Sequence, residues 1–321
     1  MRFLLRRVLH SLLVLAIASL VSFAVVNLAP GDFYEALRLR PEISPATVEA
    51  MRSEHGLNRS LPARYLYWIK SVVRGDWGFS LAYNSPAGPI LWSRAKNTLL
   101  LAGAATFIAW LIAMPLGLWA AVHPATWIDK LTSTAVSILL ATPELVLSLV
   151  ALLLAVRTGY LPAGGLMSAG IAESGSRMVL LADITRHLFL PCICLAAGLL
   201  PLLLLHVRAA VRDSLESPFV TAARGHGIPF RRVLLWHALP AAANPLISLF
   251  GLSLGLLMSS SLVIEAVFSW PGLGRLMIEA ILQRDFFLVV DAGMLVTGFL
   301  VAGNLLADLL LYASDPRIRA E

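Results

Sequence analysis

Gly251-Leu252-Ser253-Leu254-Gly255 matches G-x-S-x-G, the one hydrolase pattern in this chain. That chemistry needs the serine on a sharp strand-to-helix turn with its hydroxyl open to a base. The pentapeptide instead lies in an unbroken apolar run, and Gly251 and Gly255 also make G-x-x-x-G, a surface for close helix packing. Packing is the favoured reading, and an intramembrane serine hydrolase is the enzyme-class rival. The lysines are Lys70, Lys96 and Lys130, and none follows a glycine-rich turn, so no P-loop holds nucleotide phosphates. There is no H-E-x-x-H; His10, His55, His123, His187, His206, His226 and His237 are scattered along the chain. Cys192 and Cys194 point in different directions on a helix and read as small core residues, not as a disulfide or metal pair. No cofactor, metal or catalytic residue is implied, and the chain carries no visible energy source of its own.

Two further groups of polar residues stand out. Glu144 follows Thr142-Pro143 in the middle of an apolar run, and Asn304 and Asp308 share one face of the last run. Ionisable groups in hydrocarbon are costly and usually face a bundle interior or water. Glu144 is a candidate for a translocation path; Asp308 is expected to reach the headgroups. The second group is a basic interruption between two greasy segments, Ser214–Pro240, which carries Arg224, Arg231 and Arg232. It is punctuated as a short helix: Ser217 as cap, Pro218 at the first position, and Gly225 and Gly227 as stops.

The elements that position these residues follow from composition. The chain is 58% hydrophobic and 14% charged, which places it among integral membrane proteins. The net charge of +6 is mostly arginine. Arginines outside hydrocarbon set orientation and touch lipid phosphates, and no aromatic-basic platform suggests nucleic acid. The fold class is all-α, a polytopic membrane protein with about six transmembrane helices. Continuous apolar runs near Val8–Leu28, Leu99–Val122, Leu131–Val156, Leu188–Val207, Leu246–Phe268 and Leu288–Tyr312 each suffice for about 30 Å of hydrocarbon. Arg2, Arg6 and Arg7 precede the first, which reads as an uncleaved anchor helix. The positive-inside rule puts both termini, the Val207–Pro240 loop and Arg317–Arg319 in the cytoplasm. Arg157, Arg177, Arg186, Arg275 and Arg284 fall outside and weaken that bias without reversing it. Pro30–Lys96 then forms an external cap. One cap helix opens at Ser44-Pro45 and ends near Gly56. Another, Ala63–Val73, follows Leu61-Pro62 and aligns Tyr65, Trp68, Ile69 and Val72 for interfacial or core packing.

Taken together, these residues resemble the first permease of bacterial ABC importers of the dipeptide, oligopeptide and nickel type. The resemblance is carried by Leu28-Ala29-Pro30-Gly31-Asp32, by Gly56-Leu57-Asn58 with Leu61-Pro62, Tyr65 and Trp68, and by Gly75-Asp76-Trp77-Gly78-Phe79-Ser80. Near the other end it rests on Glu265-Ala266-Val267-Phe268, Pro271-Gly272-Leu273-Gly274 and Arg284-Asp285. The basic loop is similar to the importer consensus E-A-A-x₃-G-x₉-I-x-L-P: Ala222, Ala223, Gly227, Leu239 and Pro240 match, with Thr221 and His237 in place of Glu and Ile. Phe33 and Phe286-Phe287 depart from the family pattern.

The resemblance implies a permease subunit in the bacterial inner membrane, translocating a di-/oligopeptide or related solute. It implies as partners a second homologous permease, two ATPase subunits, an extracytoplasmic solute-binding protein and the lipid membrane, and no nucleic acid. ATP hydrolysis falls to separate subunits. Residues 1–95 would be the anchor and cap, and 96–321 a five-helix core. The helix between the fourth and fifth spans becomes the coupling element, with Phe219, Ala222, Ala223, Gly227, Leu239 and Pro240 as its residues. Its Phe219, Val220 and Ala223 side is expected to seat in a partner groove, and a following Pro229–Leu239 helix to carry the motion onward. Glu144 stays open between a place on the path and a protonated or paired group at the proline kink. An ATP-independent secondary transporter or channel is the remaining alternative; no inverted repeat of broken helices supports it.

Overall fold

The computed structural model describes residues 2–28 (side chains from residue 5), 44, 46, 48, 49, 53, 60–171 and 176–314. The Leu28–Asp32 motif beyond Leu28, Phe33, most of the Ser44–Gly56 cap helix, Gly56-Leu57-Asn58 and Arg317–Arg319 lie outside these residues.

The all-α expectation holds. The helices are α1 (Arg2–Leu28), α2 (Leu61–Val73), α3 (Ala87–Val122), α4 (Trp127–Ala141), α5 (Glu144–Thr158), α6 (Arg177–Leu215), α7 (Pro218–Gly225), α8 (Phe230–Val267), α9 (Leu273–Leu282) and α10 (Phe286–Ser314). Among the described residues the strands are one antiparallel ladder, Phe79–Ser80 with Ser85–Pro86. Five of the helices (α1, α3, α6, α8 and α10) are long and apolar enough to cross a membrane.

The expected third span, Leu131–Val156, is not one helix. It is α4 and α5, bent by 98° at Thr142-Pro143. The cause is local: proline drives the residue before it out of the helical region, and Thr142 is extended at φ −99° and ψ 114°. Its hydroxyl turns back to the Ile138 carbonyl at 2.8 Å. Each half has 15 residues, so each is only about 22 Å long at 1.5 Å per residue. Neither half alone covers about 30 Å of hydrocarbon.

The chain divides into two units, 1–10 with 99–270 and 299–321, and 11–98 with 271–298. In the first, α6 supplies much of the buried core. Val207 and Val211 pack with Ala121 of α3 and with Ala242 and Leu246 of α8. Gly117 lets α3 approach: a Cβ there would sit 2.7 Å from a Val207 methyl. The G-x-x-x-G of α8 packs on residues 299–314 of α10. A Cβ on Gly251 would overlap that of Ala307, Gly255 lies against Leu300, and Leu254 nests over Gly303.

In the second unit the aromatic stripe of α2 is core. Phe23, Trp68 and Val290 are buried together, flanked by Tyr65, Ile69, Val72, Phe286 and Phe287. The Trp68 indole N–H donates to Asp291 Oδ1 at 2.8 Å. The Gly75–Gly78 turn has both glycines at positive φ, and Asp76 accepts from the Gly78 N–H at 3.0 Å. Ser80 donates to Asp285 Oδ2 at 2.7 Å and the Ala82 N–H reaches the same oxygen at 3.0 Å. Tyr83 donates to Glu279, which also pairs with Arg275 at 2.7 Å.

Candidate functional site

The short helix between the two greasy segments forms as its residues dictate, except at the cap. Ser217 occupies the extended N-cap position, but makes no side-chain cap bond. Its hydroxyl donates back to the Ser214 carbonyl, tying the end of α6 to the start of α7. Pro218 takes the first turn, where its missing N–H costs nothing.

The exit is set by Gly227, at φ +77°. The Gly227 N–H bonds to the Arg224 carbonyl at 2.9 Å and the Ile228 N–H to the Ala223 carbonyl at 3.4 Å. These two bonds are a Schellman motif, which needs a left-handed residue at this position. The apolar contact that accompanies the motif is also there: Ile228 and Ala223 flank one small core of Val220, Val233 and Ala238.

This core changes which side of α7 is free. Val220 is fully buried and Ala223 half-buried against the chain's own Val233 and Ala238. The expected docking side of Phe219, Val220 and Ala223 is therefore split. Val220 and Ala223 hold the helix down, whereas Phe219 and Ala222 are exposed on the neighbouring edge. Around the helix the order is 222, 219, 223, 220, so the split runs between the adjacent residues Phe219 and Ala223, not between opposite faces. Phe219 also borders an open cleft of about 360 Å³, whose lining includes His206, Asp213, Ala241 and Pro245.

The expected Pro229–Leu239 helix is the first part of α8, continuous with the span. Leu234–Ala238 is a π-helical turn, in which the Leu239 N–H reaches back to the Leu234 carbonyl. Pro240 lacks an N–H for the next α-helical bond, and the widened turn lies immediately before it. The buried Ser214 hydroxyl donates to the Ala238 carbonyl at 2.8 Å. Leu239 packs on the Ala121–Val207–Ala242 core. Of the predicted residues, Ala223 and Leu239 are thus packed inward, Phe219, Ala222 and Pro240 are exposed, and Gly227 makes the exit.

Glu144 stands apart from this helix. It is the first residue of α5, half-buried, with its carboxyl against Gly198 of α6, where a Cβ would overlap it. Asp308 does not simply reach outward; it pairs with Arg7 of α1 at 3.3 Å. Asn304 is exposed. Ser253 is fully buried inside α8, donates to the Phe250 carbonyl at 2.7 Å and accepts from the Trp110 indole at 3.2 Å. That is a packed helical serine with no strand-to-helix elbow.

Polar joints not anticipated from sequence include Asp129 with Arg208, Ser80 with Asp285, and Trp68 with Asp291. Thr126-x-x-Asp129 had the spacing of a capping box, and Asp291 was an acid inside an apolar run. Their partners were not readable.

Comparison with known proteins now decides the family. Residues 113–320 match the model of the binding-protein-dependent transport system inner membrane component, and residues 1–91 match the N-terminal model of the same transport systems. The chain belongs to this permease family. The permease is 33% identical to the oligopeptide transport system permease protein AppB of Bacillus subtilis over 98% of both chains. It is 31% identical to a putative peptide permease of Brucella suis over 99% of both. It is 29% identical to the glutathione transport system permease GsiC of Escherichia coli K12, again over 99% of both. In structure the permease is similar to a chain of the MetNI methionine ABC transporter in an inward-facing form, with TM-score 0.50 and 22% identity over 72% of this chain and 95% of that one. The likeness is one of fold. With its several apolar helices, this permease is a multi-pass inner membrane protein.

Proposed function

We propose that this permease is one half of the membrane channel of an ATP-driven importer for peptides and peptide-like solutes. In this reading a solute-binding protein delivers the cargo, a second homologous permease completes the channel, and two separate ATPase subunits drive it. The observation that carries the proposal is α7: a helix of eight residues that would be marginal alone, pinned by its own small core and presenting Phe219 and Ala222 outward. A short apolar knob on a membrane bundle is suited to a helix-in-groove contact. Its motion would pass through Gly227 into α8, which continues as a span.

The termini and α7 lie in the cytoplasm in this reading, as the arginine distribution supports, and Pro30–Lys96 faces the binding protein. Residues 1–95 act as anchor and cap and 96–321 as core, a division supported by the separate family matches to 1–91 and 113–320, although the compact units cross it, with 1–10 grouped with 99–270 and 271–298 with 11–98. Glu144, at the break in the third span, would line the path. Peptide cargo is supported by relatives named for oligopeptide, peptide and glutathione transport.

The test is reconstitution with the second permease and the ATPases in proteoliposomes, with radiolabelled trialanine and glutathione as probes. Uptake should require ATP and fall with Ala222→Asp, whose side chain would disturb nothing inside this chain. Uptake by this chain without ATPase subunits would overturn the proposal.

A further inference from the structure

We propose that the Asp129–Arg208 ion pair is a second mechanical joint, through which movement of α7 reaches the broken third span. The inference rests on the coupling role proposed for α7. Arg208 stands on α6 about two helical turns before its end at Leu215, where the chain enters α7. Its guanidinium donates through Nη2 to Asp129 Oδ2 at 3.2 Å, while Nη1 lies 3.0 Å from Oδ1, an ion-pair approach in which Oδ1 gains no hydrogen bond among the described residues. Nη1 also donates to Ser133 Oγ, one turn further along α4, at 3.2 Å. The carboxylate side chain is only 9% exposed and the arginine 29%.

The acid is also fixed on its own side. Asp129 Oδ2 accepts the Ala125 N–H at 2.9 Å, and the Asp129 N–H bonds to the Thr126 hydroxyl at 3.4 Å. Ala125 is held at φ +63°, a strained setting for a residue with a Cβ. The whole Ala125–Asp129 turn is therefore one rigid knot, with Arg208 gripping it. Two hydrogen bonds one turn apart on α4, Nη2 to Asp129 and Nη1 to Ser133, resist both sliding and rotation in a way that a point contact does not.

The consequence is a branching of the motion. From α7 one path runs through Gly227 directly into α8. The other runs back along the end of α6 and across the clamp into α4, the first half of the bent span whose far side begins at Glu144. Asp129 and Arg208 are positioning residues: they touch no cargo and act through the helix they hold.

The experiment uses the reconstituted complex with Cys192 and Cys194 replaced by alanine. A single reporter cysteine is placed at exposed Ser137 of α4 or exposed Ser248 of α8, and labelling by a polar maleimide is timed with and without ATP and vanadate. With the clamp intact, nucleotide should change the labelling rate at both reporters by about fivefold, the low end of typical inter-site coupling. Asp129→Asn and Arg208→Gln should remove the nucleotide response at 137 while leaving it at 248. A purely structural staple would weaken both reporters together. Loss at both positions, a retained response at 137 in the single variants, or no response at 137 with the clamp intact overturns the joint. Ala222→Asp should silence both reporters. If it silences neither, the coupling role of α7 falls and the joint with it; if it silences both while the clamp variants change nothing, the joint alone falls.

Discussion

Gly227 offers a graded perturbation whose cause can be separated from steric crowding. Its φ is +77°, and a Cβ at this position would meet nothing within 4 Å. Any penalty for a side chain is therefore conformational. A non-glycine residue in the left-handed region costs about 1–2 kcal/mol, asparagine costs least among them, and a β-branched residue should cost most. The two Schellman bonds, to the Arg224 and Ala223 carbonyls, hold the last turn of an eight-residue helix, so little else can absorb the loss. A penalty of about 1–2 kcal/mol changes a conformer ratio by a factor of roughly 5–30. Binding that selects the ordered conformer is weakened by at most that factor. The affinity of detergent-solubilised permease for the proposed ATPase subunit should thus fall in the order Gly, Asn, Ala, Val at position 227. Membrane insertion and melting of the remaining bundle should change little. Equal affinities for Gly227→Asn and Gly227→Val would refute the reasoning, as would a loss that tracked side-chain volume without regard to φ.

Gly251→Leu should destabilise the bundle by about 1–3 kcal/mol, because a Cβ there overlaps Ala307; a thermal melt in detergent measures it, and an unchanged midpoint would contradict the helix contact. Trp68→Phe removes the donor to Asp291, whose Oδ2 has no hydrogen-bond partner among the described residues. The cost should be about 1–3 kcal/mol, with part of it recovered when Asp291→Leu is added. Glu279 gives a pH signature: burial pushes its carboxyl up, but the Tyr83 hydroxyl and Arg275 outweigh this and hold it below the usual 4.5. Its stabilisation is then complete above about pH 4.5, the unfolded value, and is lost as pH falls through the lowered folded value. The melting difference between wild type and Glu279→Gln should therefore be constant near neutral pH and shrink on acidification below that value.

Much of this architecture could be read from residues that act locally. The apolar runs located the spans, Gly227 marked the end of α7, and Gly251 with Gly255 marked a packing face in place of a nucleophile. The break in the third span was written in Thr142-Pro143, but the apolar residues on both sides concealed it, because hydropathy measures length and not direction. Ser217 had the right type for a cap, yet its hydroxyl turned to Ser214, since the end of α6 offers a nearer acceptor. The part of the expected docking side that Val220 and Ala223 form is covered by the chain itself, because only the fold shows that Val233 and Ala238 return to pack against them. Arg208, Asp285 and Asp291 found their partners through long-range packing, for which no local pattern exists. Ser80 and Asp285 each stood in recognised motifs, but nothing in either motif indicated the other.

The most direct measurement is ATP-dependent uptake of trialanine by proteoliposomes holding the two permeases and the ATPases, with intact α7 and with Ala222→Asp. Intact liposomes should accumulate the tripeptide only with ATP. Those with Ala222→Asp should still contain the permease, yet bind the ATPase poorly and import little. Equal, ATP-independent uptake by both, or by the permease alone, would show that α7 does not drive the gate.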